Sequence, residues 1–112
     1  MPAYLVYICQ SVSDRDELET YWEKAPATFE GHDVKLLSAY APLVHLEGDG
    51  PVEGVVIAEF PSVDDAKDWY NGAYQDVMPH RVRGAKYLGL IVDGGVTVNV
   101  DERMPQTRTS LA

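Results

Sequence analysis

Gly54-Val-Val-Ile-Ala-Glu-Phe-Pro-Ser-Val-Asp-Asp-Ala-Lys-Asp-Trp-Tyr70 packs a strand, a stop, a helix start and a helix face into one run. Val55 to Phe60 is mostly β-branched and apolar, which suits a buried strand. Pro61 has no N–H to give to a ladder and ends it. Ser62 with Asp65 three residues on resembles a capping box. Ala66, Trp69 and Tyr70 then recur at helical spacing, so one helix face is apolar and aromatic.

The same grammar runs outward from this block. Tyr4 to Cys9 is an apolar run of strand length. Ser13 is the expected N-cap of a first helix, and Asp14, Asp16 and Glu17 suit its positive end. Leu18, Tyr21, Trp22, Ala25 and Phe29 follow at spacings of three and four, with Pro26 set to kink or split the helix. Val34 to Tyr40 reads as the second strand, and Leu43 to Glu47 as its continuation past a bulge or bend. Gly48-Asp49-Gly50-Pro51 is a turn by composition. After Asn71-Gly72 a further helical piece spans Tyr74 to Ala85, interrupted in principle by Pro79. Tyr87 to Asp93 is the last strand.

The order is β-α-β-β-α-β, which predicts an α+β, ferredoxin-like subunit: an antiparallel sheet with helices on one face. The domain is set at residues 1–95. Residues 96–112 form a C-terminal extension, with Val96, Val98 and Val100 patterned as a short edge strand before a loose polar tail.

A sheet exposed on one face should alternate apolar and polar residues. Tyr4–Cys9, Val55–Ala58 and Leu88–Val92 are apolar on both faces. Helices cover one face only, so a second copy is expected on the other, giving a homodimer with sheets face to face.

Composition narrows the partners. With 112 residues and 46% hydrophobic content, the chain is one globular domain. Eighteen acidic against nine basic residues leave a formal charge of −9, which repels nucleic-acid backbones and anionic membranes. No apolar run approaches the roughly 20 residues of a membrane span. The start, Met1-Pro2-Ala3-Tyr4, lacks the basic region of a secretory signal, and the single Cys9 cannot form an intramolecular disulfide. A cytoplasmic location is the expectation.

The opening Met1-Pro2-Ala3-Tyr4, Glu59-Phe-Pro-Ser62, Ala66, Trp69-Tyr70, Tyr74 and Arg81 occur together in an order and spacing similar to those of domain of unknown function 1330, a family of the dimeric α/β-barrel superfamily. The resemblance covers about residues 2 to 94. It implies a dimer that closes into a barrel, with a pocket between sheet and helices. The wider superfamily includes cofactor-free monooxygenases, chlorite dismutase-like haem proteins, lactone isomerases and stress-responsive barrels, so the fold alone does not choose a reaction. The family's Arg-Gly-Gly-like turn after the second strand is replaced here by Ser38-Ala39-Tyr40-Ala41-Pro42.

Motifs for nucleophile elbows, phosphate loops, dinucleotides and zinc proteases are absent, and His32, His45 and His80 lack metal-ligand spacing. No metal and no cofactor is expected. His45 and Glu59 lie on adjacent expected strands, where a carboxylate would fix the imidazole tautomer for acid/base work. The plainer alternative leaves Glu59 capping a strand end and His45 partly exposed. His80 offers a second acid/base group. Arg81 would clamp a carboxylate or enolate oxygen, unless it forms a surface ion pair. Tyr40 is the expected partner of Arg81 at that oxygen, with Ser38, Trp22, Trp69 and Tyr74 as ligand-binding neighbours. The aromatic helix residues serve equally as core. The function expected is cofactor-independent proton-transfer chemistry (isomerisation, cyclisation or elimination) on a hydrophobic, oxygenated small molecule. The alternative is a non-catalytic small-ligand-binding or accessory dimer.

Overall fold

The computed structural model describes residues 1–94. Four strands, β1 (Ala3–Val12), β2 (Lys35–Ala39), β3 (Gly54–Phe60) and β4 (Ala85–Asp93), form one sheet in the order β2-β3-β1-β4. Every pairing is antiparallel. Helices α1 (Arg15–Lys24), α2 (Val63–Asn71) and α3 (Tyr74–Gly84) complete a ferredoxin-like α+β subunit. Expectations for residues 96–112 lie outside the described residues. None of the described helices is long and apolar enough to cross a membrane.

Strand parity sorts the two faces of the sheet. Ala3, Leu5, Tyr7 and Cys9 of β1 are buried beneath the helices, and the alternate residues Tyr4, Val6 and Ile8 are only partly covered. Leu88, Leu90 and Val92 lie opposite Ile8, Val6 and Tyr4, each 46% exposed. With Val55 and Ile57 of β3 they make a broad apolar face that the subunit leaves open.

Helix starts follow the sequence with one correction. Asp14, not Ser13, caps α1, its side chain accepting from the Glu17 N–H. The Ser13 and Asp14 N–H groups instead both donate to the Gly84 carbonyl, at 2.9 and 3.0 Å. That tie draws α3 against α1, where a Cβ on Gly84 would stand 2.7 Å from the Leu18 nitrogen. Ser62 caps α2 as expected, accepting from the Asp65 N–H while its hydroxyl donates to the Asp65 carboxylate.

Prolines act in different ways. Pro26 ends α1 by turning the chain into a 3-10 helix, Ala25–Phe29, at whose first turn a missing N–H costs nothing. Pro79 lies inside α3, which runs through it to Gly84. The segment Leu43–Glu47, expected to prolong β2, is irregular loop. Tyr40 explains the difference. It takes a positive φ of 55°, a conformation that turns the chain out of the ladder.

Candidate functional site

An apolar cavity of about 250 Å³ lies between the sheet and the first helical layer. Leu5 and Tyr7 of β1 and Val56 of β3 form its floor, and Tyr21, Trp22 and Phe29 wall it. A bulge between Leu36 and Ser38 sets the side of β2. It inserts Leu37, so Leu36 and Ala39 both meet the cavity while Ser38 pairs with Ile57 on the open face. Trp69, 1% exposed, stacks on Phe29 at 5.1 Å and donates its indole N–H to Thr28 Oγ1 at 3.0 Å. Thr28 in turn donates to the Ala25 carbonyl at 2.6 Å, which fixes the 3-10 helix at the cavity's end.

Tyr40 closes another side. A Cβ on Gly54 would stand 2.5 Å from Tyr40 Cδ1, so glycine is what lets that ring lie on β3. The Tyr40 N–H donates to the Val55 carbonyl at 2.8 Å, and the ring meets the Trp22 edge at 5.4 Å. A non-glycine residue at positive φ is a strained position, retained where its side chain is held in place on several sides.

Beyond Tyr7 a second pocket, of about 290 Å³, opens beside the edge strand β4 and is lined by Arg81, Tyr70, Tyr87, Gly89 and Leu90. Leu5 and Tyr7 are walls of both cavities. Arg81 is only 9% exposed, and its guanidinium lies over the rings of Tyr7 and Tyr87 at 4.9 and 5.1 Å. Its Nε donates to the Tyr74 hydroxyl at 3.0 Å. No carboxylate pairs with it among the described residues. A buried cation is ordinarily paired.

The tyrosines form a hydroxyl network around this cation. Tyr21 and Tyr74 share a hydrogen bond of 2.8 Å, and Tyr40 and Tyr87 one of 2.6 Å. Burial, and then the neighbouring hydroxyls, push the pKa values of Tyr7, Tyr21 and Tyr87 far up, and burial raises that of Tyr40. These phenols therefore stay neutral and serve as donors, not as bases. Burial works against the Arg81 charge, but Tyr74, Tyr7 and Tyr21 around it outweigh that effect and raise its pKa.

Two buried polar atoms in this region lack a well-aligned hydrogen bond among the described residues: the Tyr7 hydroxyl and Trp22 Nε1. The Tyr74 hydroxyl raises the Tyr7 pKa both electrostatically and as a hydrogen-bonding neighbour, but its well-aligned bonds go to Tyr21 and Arg81. Trp22 likewise acts on the Tyr40 hydroxyl as a hydrogen-bonding neighbour, while the well-aligned bond of that hydroxyl goes to Tyr87.

The candidate residues divide sharply. Arg81, Tyr40, Trp22 and Trp69 belong to the two cavities, and Tyr74 supports Arg81 from behind. Ser38 does not join them. The expected His45–Glu59 pair is absent. His45 is exposed in the loop, its Nε2 donating to the Glu47 and Gly48 carbonyls at 2.8 and 2.9 Å. Glu59 is on the open sheet face, opposite Tyr4 and Lys35. The loop's departure from the ladder at Tyr40 is what separates them. His80 faces α1, its Nδ1 at 2.7 Å from Glu17 Oε2, with Arg83 at 3.2 Å from the same oxygen. The ion pair weighed as an alternative for Arg81 is made instead by Arg83, with Glu17, while Arg81 turns inward.

Tyr7 and Tyr87 were not among the candidates. Parity was the available signal, since Tyr7 shares the inner face with Leu5 and Cys9. Gly89, opposite Tyr7 in the register, was a second signal: a Cβ there would stand 2.6 Å from Tyr7 Cε1. Cys9 is buried, and burial raises its thiol pKa, which keeps it unreactive. Among the described residues, no group of three or more His, Cys, Asp or Glu side chains is arranged to hold a metal ion.

Solved structures with a similar fold share little sequence with this chain. The RPA0582 protein of unknown function from Rhodopseudomonas palustris superposes with a TM-score of 0.64 at 15% identity, over 86% of this chain and 84% of its own. SnoaB, a cofactor-independent oxygenase from Streptomyces nogalater, gives 0.58 at 12% identity, over 87% and 96%. A dimeric protein of unknown function and ferredoxin-like fold from Bacteroides fragilis gives 0.51 at 12%, over 82% and 95%. No curated protein matches the sequence. Residues 2–95 match a family in their own right, and by that match the chain belongs to the family described as domain of unknown function DUF1330.

Proposed function

We propose that this protein binds a small, hydrophobic, oxygenated molecule between its sheet and its helices and acts on it without a cofactor. The observation that carries the reading is the 250 Å³ cavity walled by aromatic side chains. An apolar cavity of about 150 Å³ takes one benzene, so this one has room for roughly two fused rings. Arg81 lies on the far side of Tyr7 and supplies a fixed positive charge where an enol or phenol loses its proton. The reaction class this suits is proton transfer at an enolisable centre, the proton passing to water, with Arg81 holding the resulting oxyanion and Tyr87, which accepts from Tyr40, donating beside it. SnoaB, which shares the fold, is a cofactor-independent oxygenase, and this reading places related cofactor-free chemistry within reach.

A second reading, a binding or accessory module, draws on a different observation. Among the described residues no carboxylate or imidazole lines either of the two cavities, so these residues bring no base to them. Turnover of a bound molecule separates the readings: the enzyme shows it and loses it on Arg81→Ala, whereas the module binds without turnover.

The working unit of this proposal is a homodimer. Support comes from the open face carrying Leu88, Leu90 and Val92, and from the dimeric state of the Bacteroides protein of the same fold. A cytoplasmic location is part of the same proposal and rests on the lone reduced Cys9.

Calorimetric titration with 1-tetralone, a neutral bicyclic ketone, tests the cavity directly. Wild type should bind it, and Ala25→Phe, which fills the cavity, should not. Absence of binding to the wild type would sink the proposal.

A further inference from the structure

We infer that the edge pocket beside β4 is a subsite for a planar carboxylate, so that the molecule taken up is an aromatic or alicyclic acid. This rests on the proposed small-molecule function and names the substrate class. Three side chains present hydrogen-bond donors there, and none presents a competing anion. Arg81 spends its Nε on Tyr74 and has no other hydrogen bond among the described residues. Its Cζ lies over the rings of Tyr7 and Tyr87, and its remaining donors lie, as in any guanidinium, in the plane of the group. The edge of that plane matches a carboxylate with two parallel hydrogen bonds.

Tyr70 is the second donor. Its hydroxyl is directed at the Met78 sulfur at 3.4 Å, a weak acceptor that an anionic oxygen readily replaces. Tyr87 is the third, its hydroxyl held at 2.6 Å by Tyr40. The pocket's surroundings strengthen the case. On a chain of formal charge −9, acidic side chains are plentiful, yet none reaches this cation among the described residues. A buried guanidinium without a partner is poised to take one from outside. The pocket's apolar walls, Leu5 and Ile91, and the adjoining cavity receive the ring that carries the acid.

The test compares 1-naphthoate with its methyl ester, which has the same rings and no charge, by calorimetric titration beside 1-tetralone. Wild type should prefer the acid by about ten- to hundredfold, the worth of charge-assisted hydrogen bonds. Arg81→Met should abolish that preference, bringing the acid down to the affinity of the ester. Arg81→Lys, which keeps the charge but not the fork, should restore only part of it. Tyr70→Phe should weaken the acid a fewfold and leave the ester unchanged, which provides a reading even if a change at Arg81 prevents folding. Binding of 1-tetralone with no preference for the acid overturns this inference alone, as does a preference that survives both Arg81→Met and Tyr70→Phe. Failure of all three molecules to bind overturns the proposed function and this inference with it.

Discussion

Replacing Tyr7 by Phe should make the protein more stable. Tyr7 is 4% exposed, and among the described residues its hydroxyl has no well-aligned hydrogen bond, the nearby Tyr74 hydroxyl being engaged by Tyr21 and Arg81. Burying such a group unpaired costs about 1–3 kcal/mol relative to a paired or solvated one. The ring itself is well used: it stacks on Tyr74 at 6.3 Å, meets the Tyr87 edge at 5.9 Å and lies under Arg81 at 4.9 Å. Phenylalanine keeps all three contacts and removes only the oxygen. The void left by one oxygen returns part of the gain, so a net stabilisation of about 1 kcal/mol is expected. For a chain of this length that corresponds to a rise in Tm of roughly 4–6 °C. Urea unfolding followed by circular dichroism measures it, and an unchanged m-value shows that the unfolded state is not the cause. A loss of about 1 kcal/mol would refute the reasoning, because it would mean that the hydroxyl is satisfied in the folded protein.

Three further outcomes follow from other parts of the structure. Gly89→Ala places a Cβ at 2.6 and 2.9 Å from two atoms of the Tyr7 ring, which is held between Arg81 and Tyr87; it should cost about 1–3 kcal/mol in denaturant unfolding. Leu90→Asp, on the open sheet face, should weaken self-association at least tenfold, by about 2 kcal/mol or more, in sedimentation equilibrium, and a monomeric wild type would contradict the dimer proposal. Hydrogen bonds from His80, and then from Arg83, lower the pKa of Glu17. Its stabilising effect is therefore full above the unfolded-state value of about 4.3 and is lost as pH falls through the lower folded-state value. Glu17→Gln should accordingly flatten the acid side of a Tm-against-pH curve and leave its neutral side almost level.

Local chemistry made the fold readable. Period-two and period-3.6 patterns, with Pro61, Ser62 and Pro26 as punctuation, place every strand and helix of the described residues within a few positions. The exception, Leu43–Glu47, has strand-like composition, but Tyr40 leaves the ladder before it begins. That departure depends on Gly54 admitting a ring from a neighbouring strand, a contact between distant residues that no local pattern records. The site was readable in part for the same reason. Arg81 stood out as a cation in an acidic chain, and the aromatic residues by their spacing. The histidines misled because residue type signals chemistry, whereas direction decides it. His80 and Arg81 are adjacent on one helix, and roughly 100° of helical rotation sends one to Glu17 and the other into the interior. Tyr7, at the centre of both cavities, was visible through strand parity, yet its role needs the register that sets it against Gly89.

The account's central claim is that a small molecule enters between sheet and helices and delivers its charge to Arg81. A crystal structure of the protein grown with 1-naphthoate tests it most directly. The predicted result places the fused rings against Leu5 and Tyr7, with the carboxylate about 3 Å from the Arg81 guanidinium nitrogens. Naphthoate seated on the open sheet face, or Arg81 paired with a carboxylate of the protein itself while both cavities stand empty, would contradict it.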